Sequence, residues 1–222
     1  MSDTQEFLQA VAAGDLPRVE NMLRDNRLAT AQNEAGTPAL LLAMQRGHAT
    51  VARAIAARRT HLQLYDLAAL GDEEKLRAVL ERSAEKVNDR VPGGFTALGL
   101  ACAVGHVGVA SLLLRHGADP NLAATGEQGH RPLHQAAGHI QPGVAVSLTG
   151  VLLEHGANPD APGPGGWTAL HTAAALGYRD VCALLLRNGA DPAARSDGGK
   201  TPGQMAAEFG FAGVAEWLEG GP

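Results

Sequence analysis

Aromatic side chains are scarce in this chain: four Phe, two Trp and two Tyr, or 4% of 222 residues. A core of stacked rings is thereby excluded. With 45% apolar residues the interior falls to Ala, Leu and Val, small straight side chains that suit closely packed helices. Cysteine is nearly absent. Cys102 and Cys182 each sit in an Ala/Leu-rich run, which excludes a disulfide framework and reads as two small buried hydrophobes. No run approaches the roughly 20 apolar residues of a membrane span, so no membrane partner is expected. The start, Met1 to Glu6, is polar and acidic and lacks the basic, then apolar, pattern of a signal peptide. Positive charge is not in excess either. Lys and Arg number 18 against 23 Asp and Glu, interleaved, for a net charge of −5. No basic stripe emerges, and no nucleic-acid partner is expected. A monomeric, soluble, cytoplasmic protein is the expectation.

The inventory of reactive groups is equally thin. Serines are few, no Gly-x-Ser-x-Gly elbow is present, and neither cysteine has a His partner nearby. No glycine run ends in the Lys-Ser/Thr of a phosphate loop. No catalytic residues and no cofactor are therefore assigned, and the chain is read as a non-enzyme.

What the chain does have is glycine, 28 copies at fixed slots, and a phrase that recurs. Gly166-Trp167-Thr168-Ala169-Leu170-His171-Thr172-Ala173 returns from Gly199 to Ala206, and earlier from Gly94 to Ala101 and from Gly129 to Ala136. Self-similarity at a period of about 20–50 residues predicts a stacked array. Within one unit, Thr168 precedes an apolar run that ends at Gly177, a helix between an N-cap and a left-handed glycine. A second helix from Arg179 stops at Gly189-Ala190-Asp191-Pro192. The turn-rich stretch to Lys200, with Asp197-Gly198, reads as a hairpin tip. Such a unit buries its apolar face only by stacking on neighbours.

The unit resembles the ankyrin repeat. The likeness rests on Thr168-Ala169-Leu170-His171, on Gly177-Tyr178, and on the Gly-Ala-Asp/Asn-Pro endings at 117–120, 156–159 and 189–192. It covers nearly the whole chain, and its Ala- and Arg-rich wording is similar to bacterial ankyrin proteins. The resemblance implies an all-α solenoid of about six helix-turn-helix units joined by β-hairpin-like loops. Their approximate bounds are 4–35, 36–61, 62–93, 94–128, 129–165 and 166–198, with a C-terminal capping segment at 199–222. Both ends look capped, by Arg18, Glu20, Arg24 and Asp25 at one and by Glu208, Glu216 and Glu219 at the other, so the array is expected to be complete. The spacing departs from the period in three places. Four extra residues are expected around Ile140–Gly143, between the two helices of a unit, and two near Ala123–Gly126 in a hairpin. About nine hairpin residues are missing after Arg59. That makes 58–61 the weakest join, with two hinged sub-arrays as the alternative.

Nine histidines raise the question of a metal. His130, His134 and His139 are close in sequence, but no cysteine joins them and their spacing fits no usual helical ligand pair. The repeat accounts for six of the nine: His134 and His171 within the phrase, His48 and His106 after a helix-ending glycine, His116 and His155 before the unit's closing turn. No metal is assigned. The second reading, a small-molecule or metal-linked role, is seated at 139–143.

By resemblance, a protein partner sits on a concave surface made of hairpin tips and the exposed ends of the first helices. The slot before the phrase holds Thr37, Phe95, His130, Trp167 and Lys200. The late first-helix slots hold Gln45-Arg46, Ala69-Leu70, Ala103-Val104, Gly138-His139, Ala175-Leu176 and Glu208-Phe209. Few as they are, the aromatics Phe95, Trp167 and Phe209 fall there, and aromatics are over-represented at interface hot spots. The candidate partner-binding set is Phe95, Val104, His130, His139, Trp167, Leu176, Lys200 and Phe209. Packing of Phe95 and Trp167 against the neighbouring hairpin is the competing role. The N-terminal half, with Glu34, Thr37, Gln45 and Arg46, offers a polar rim.

Overall fold

The structure is a computed structural model and describes residues 2–91, 94–125 and 129–220. Among these it holds seven pairs of antiparallel helices: α1 (Asp3–Ala13) and α2 (Leu16–Met22), α3 (Ala39–Gln45) and α4 (Ala49–Ala56), α5 (Leu64–Leu70) and α6 (Glu73–Leu80), α7 (Ala97–Val104) and α8 (Val107–Arg115), α9 (Pro132–Ala137) and α10 (Pro142–Glu154), α11 (Ala169–Ala175) and α12 (Arg179–Arg187), α13 (Pro202–Glu208) and α14 (Ala212–Glu219). The segment expected to cap the array is itself a helix pair. First helices stack on first helices from α1 through α13. Second helices form the other layer, in which α2 packs on α4, α6 on α8, α8 on α10 and α10 on α12.

Local chemistry sets the helix ends. Ser2, Thr96, Thr168 and Thr201 cap first helices from their side chains, three of them in reciprocal capping boxes with Gln5, His171 and Gln204. Pro17, Pro132, Pro142 and Pro202 stand in first turns, where a missing N–H costs nothing. Small residues let the layers close: Ala97, Gly99 and Ala101 of α7 are all buried.

Hairpins join the pairs. Among the described residues strand pairing is limited to the isolated bridges Gln32–Pro38 and Arg90–Thr96. The residue before each phrase closes its hairpin with its carbonyl. Thr37, Phe95, His130, Trp167 and Lys200 accept from Asn33, Val91, Ala124, Gly163 and Ser196 N–H at 2.7–3.0 Å.

Two departures from regularity matter. The four extra residues do not lengthen the loop between α9 and α10, as the spacing suggested. They add one turn to α10, which starts at Pro142 and outruns α12 by that turn. Part of the other expected insertion, Gly126, lies outside the described residues. The join after Arg59 is short. Residues 57–63 connect α4 to α5, where the other joins run over 23–38, 81–96, 116–131, 155–168 and 188–201. With no hairpin there, α4 and α6 scarcely touch, a weakness shared only with α12 and α14 in the outer layer. The core divides at the same place. One cluster runs from Phe7 to Ile55 and adds Ala69, Val91 and Leu100; the other starts at Leu67.

A buried ion pair replaces the hairpin. Arg59 donates to Asp66 Oδ1 at 2.7 Å, and Asp66 Oδ2 accepts the Gln63 N–H at 2.8 Å. Asp66 is fully buried. Burial raises its carboxyl above the ordinary value, against the opposing pull of Gln63 and Arg59.

Candidate interaction surface

Two rows of side chains flank the first-helix layer, one at each end of those helices. A first helix such as α7, eight residues long, separates the rows by about 12 Å. The hairpin row carries Phe95, His130, Trp167 and Lys200. The loop row carries Val104, His139, Leu176 and Phe209.

The hairpin row is anchored from behind by histidine. His134 Nε2 donates to the Trp167 carbonyl at 2.9 Å, and His171 Nε2 does the same for Lys200 at 3.0 Å. Trp167 and Lys200 are thus fixed by the preceding unit. His171 Nδ1 accepts the Thr168 N–H at 3.1 Å and meets its hydroxyl at 2.9 Å. His134 has Arg131 where His171 has Thr168, and its buried Nδ1 has no partner. Burial is the main reason its pKa falls to about 4. Phe95 and Trp167 are half-buried; Phe95 packs on the N-terminal core cluster, and Trp167 lies 6.3 Å from the His171 ring. His130 is half-buried with its ring 6.1 Å from that of His134. Lys200 is exposed and paired with Glu208, so it bridges the two rows.

The loop row is where apolar surface is exposed. Among the described residues, the exposed large hydrophobics are Ile140, Leu176, Phe209 and Phe211. All four lie at the loop between first and second helix in the last three pairs. Val104 and His139 are half-buried in the same row. Two expected members, Ala69 and Ala175, are instead buried, because the small side chain sinks against the neighbouring helix. Sequence reasoning missed Ile140 as surface apolar area; it had placed 140 only within an insertion.

A second regularity, invisible to the phrase, lines this row. The ring after the loop glycine lies over the glycine of the preceding pair: His48 over Gly14, His106 over Gly71, His139 over Gly105, Phe211 over Gly177. Two of these rings also bond a carbonyl there, His48 to Ala12 at 3.2 Å and His106 to Ala69 at 3.0 Å. In α5–α6 the slot is Asp72, which caps α6 through the Lys75 N–H instead. Gly47 has nothing within 4 Å of where a side chain would start. A cleft of about 440 Å³ opens at that point, lined by Gly47 and Met44 on one side and by Val104, His139 and Ile140 on the other.

Among the described residues no group of three or more His, Cys, Asp or Glu side chains is placed to hold a metal. His139 is turned away from the other two, its Nδ1 accepting the Gln141 N–H at 3.1 Å. Both cysteines are buried, with thiols pushed up to about 12 by burial. Among the described residues, no helix is long and apolar enough to cross a membrane.

Comparison with known families decides the kinship. A family model described as ankyrin repeats (3 copies) matches residues 64–161 and 144–220. The chain belongs to the ankyrin repeat family. The model's match begins at Leu64, immediately after the short join. Human BCL-6 corepressor-like protein 1 is 33% identical over 108 residues, 49% of this chain and 6% of that protein. Human neurogenic locus notch homolog protein 4 is 36% identical over 117 residues, 47% of this chain and 6% of its own length. A putative ankyrin repeat protein, YahD, of Escherichia coli is 27% identical over 191 residues, covering 81% of this chain and 93% of that one. The chain therefore spans only a small part of the two human relatives. An ankyrin array is a protein–protein interaction module.

Proposed function

We propose that the chain is a non-catalytic scaffold that presents its concave face, between the hairpin row and the loop row, to a protein partner. The observation that carries this reading is that the exposed large apolar side chains all lie in the loop between first and second helix of the last three pairs. Exposed apolar area gathered at one edge of an array suits a contact site. Val104, Leu176 and Phe209 supply apolar area; Phe95 and Trp167 are aromatic anchors; His130, His139 and Lys200 provide polar contacts at the edges. A stacked array presents its surface already ordered, so little ordering entropy is lost on binding. A monomer in the cytoplasm suits this role. The buried, weakly acidic thiols and the partnered histidines support a non-enzymatic reading.

The test is affinity purification of the intact chain with mass spectrometry, followed by affinity measurement on the purified partner. Trp167→Ala is expected to weaken binding by about 2 kcal/mol or more. Leu176→Arg with Phe209→Arg is expected to abolish it. An affinity unmoved by Phe95→Ala with Trp167→Ala, and by the arginine pair, would sink the reading.

The small-molecule reading at 139–143 gains one support: the cleft beside His139 and Ile140 has a volume within the roughly 300–1,000 Å³ range of ligand pockets. Its metal version gains none.

A further inference from the structure

The cleft beside Gly47 is a local event in an otherwise regular array. Elsewhere in the loop row a side chain covers the preceding glycine, a ring at Gly14, Gly71, Gly105 and Gly177 and Thr172 at Gly138. Here Asp72 takes the ring's slot and turns into its own helix cap. The floor is left uncovered, and α3 reaches past α5 to touch α7. The walls come from both sides of the short 57–63 connection: Met44, Gln45 and Gly47 from the N-terminal pairs, Val104, Gln135 and Ile140 from beyond it.

Its chemistry differs from the rest of the surface. In a chain that is 18% charged, none of the residues lining this cleft is Asp, Glu, Lys or Arg. His139 uses Nδ1 as an acceptor. The walls are methionine, valine and isoleucine, with the Gln45, Gln135 and Gln141 amides among them. Burying a charge there would carry a desolvation cost with no counter-ion to offset it. Methionine adapts its shape to irregular guests, and primary amides both donate to and accept from a peptide backbone.

We infer that this cleft receives a bulky uncharged side chain from a neutral peptide segment of the partner, the glutamines holding the flanking backbone. The inference rests on the protein-binding reading but uses the Val104–His139 end of the loop row, which Leu176 and Phe209 do not line.

The probe is a set of N-acetylated, C-amidated pentapeptides with a central Leu, Phe, Trp, Lys or Glu and neutral flanks, titrated into the intact chain. Methyl NMR reads Met44, Val104, Ile140 and Val144. The Leu, Phe or Trp peptides are expected to shift these methyls, with the Lys and Glu peptides at least tenfold weaker. Asp72→His, which restores a ring over Gly47, is expected to abolish the shifts. Thermal melting shows whether that variant is folded. If it is not, Gln135→Arg serves instead, with the same loss expected. The inference is overturned if the methyls do not respond, if charged peptides bind equally, or if free indole binds as tightly as the Trp peptide. Leu176→Arg with Phe209→Arg leaves these shifts unchanged, so failure here and failure of the protein-binding reading are told apart.

Discussion

At the scale of single residues, the repeat supplies a comparison within the molecule itself. His171 and His134 occupy the same slot, yet only His171 has a threonine for its Nδ1. Arg131→Thr is expected to give His134 that partner and α9 a side-chain N-cap. A gain of about 1 kcal/mol follows, less the contact from Arg131 to the Pro162 carbonyl. A thermal melt checks the sign: the melting temperature should rise by a few degrees. The same imidazole gives a pH dependence. Its folded pKa, about 4, lies below the ordinary 6.5, so the native state binds fewer protons than the unfolded chain between those values. Its contribution is present above pH 6.5 and is lost as pH falls toward 4, on the order of 2–3 kcal/mol. NMR titration should place the His134 midpoint near 4, and denaturant melts from pH 7 to 4 should show the decline. A midpoint near 6.5 would contradict this account.

At the scale of elements, the ring-over-glycine contact joins one pair to the next, and its energetic weight is open to measurement. A methyl at Gly71 would stand 2.8 Å from His106 Cε1, in a backbone conformation with φ +76°. At Gly47, φ is +78° and the space is open. Both alanine variants incur the left-handed penalty of about 1–2 kcal/mol; only Gly71→Ala also displaces a ring. Urea midpoints should therefore rank Gly71→Ala well below Gly47→Ala. Equal losses would mean that the ring bears no load. Sequence reading found the slots because the phrase repeats, and it identified His48 and His106 as scaffold. It did not find what they touch, since contact between units is not a property of either unit's own periodicity. It also read the insertion at 140–143 as loop where the structure has helix from Pro142. Proline and glycine read as loop residues, but Pro142 is tolerated in a first turn, and the helix simply began there. Phe95 and Trp167 were legible as slot residues. Their half-burial was not, because it depends on the next hairpin.

At the scale of the whole molecule, the array has one anomalous join. The loss of hairpin after Arg59 was visible in the spacing; the buried Arg59–Asp66 pair that replaces it was not, since nothing local marks Asp66 for burial. Arg59→Met leaves that carboxylate without its cation and is expected to cost about 3 kcal/mol. Because burial already holds the Asp66 pKa up, the loss should grow as pH rises from the acid range to neutrality. Adding Asp66→Asn should recover most of it, as the amide oxygen still accepts the Gln63 N–H. Hydrogen exchange across 57–63 and denaturant melts at two pH values check both statements.

The division of the core also orders events during synthesis. The N-terminal cluster, from Phe7 to Ile55, is completed by Ala69, Val91 and Leu100. A ribosome that has released the first two helix pairs has not yet released the residues that cover them. Those pairs wait with apolar surface open until the chain has grown past α7, while each later pair finds its neighbour already made. Nascent chains stalled before residue 64 should therefore be the ones that chaperones hold, and chains stalled well beyond Leu100 should be released.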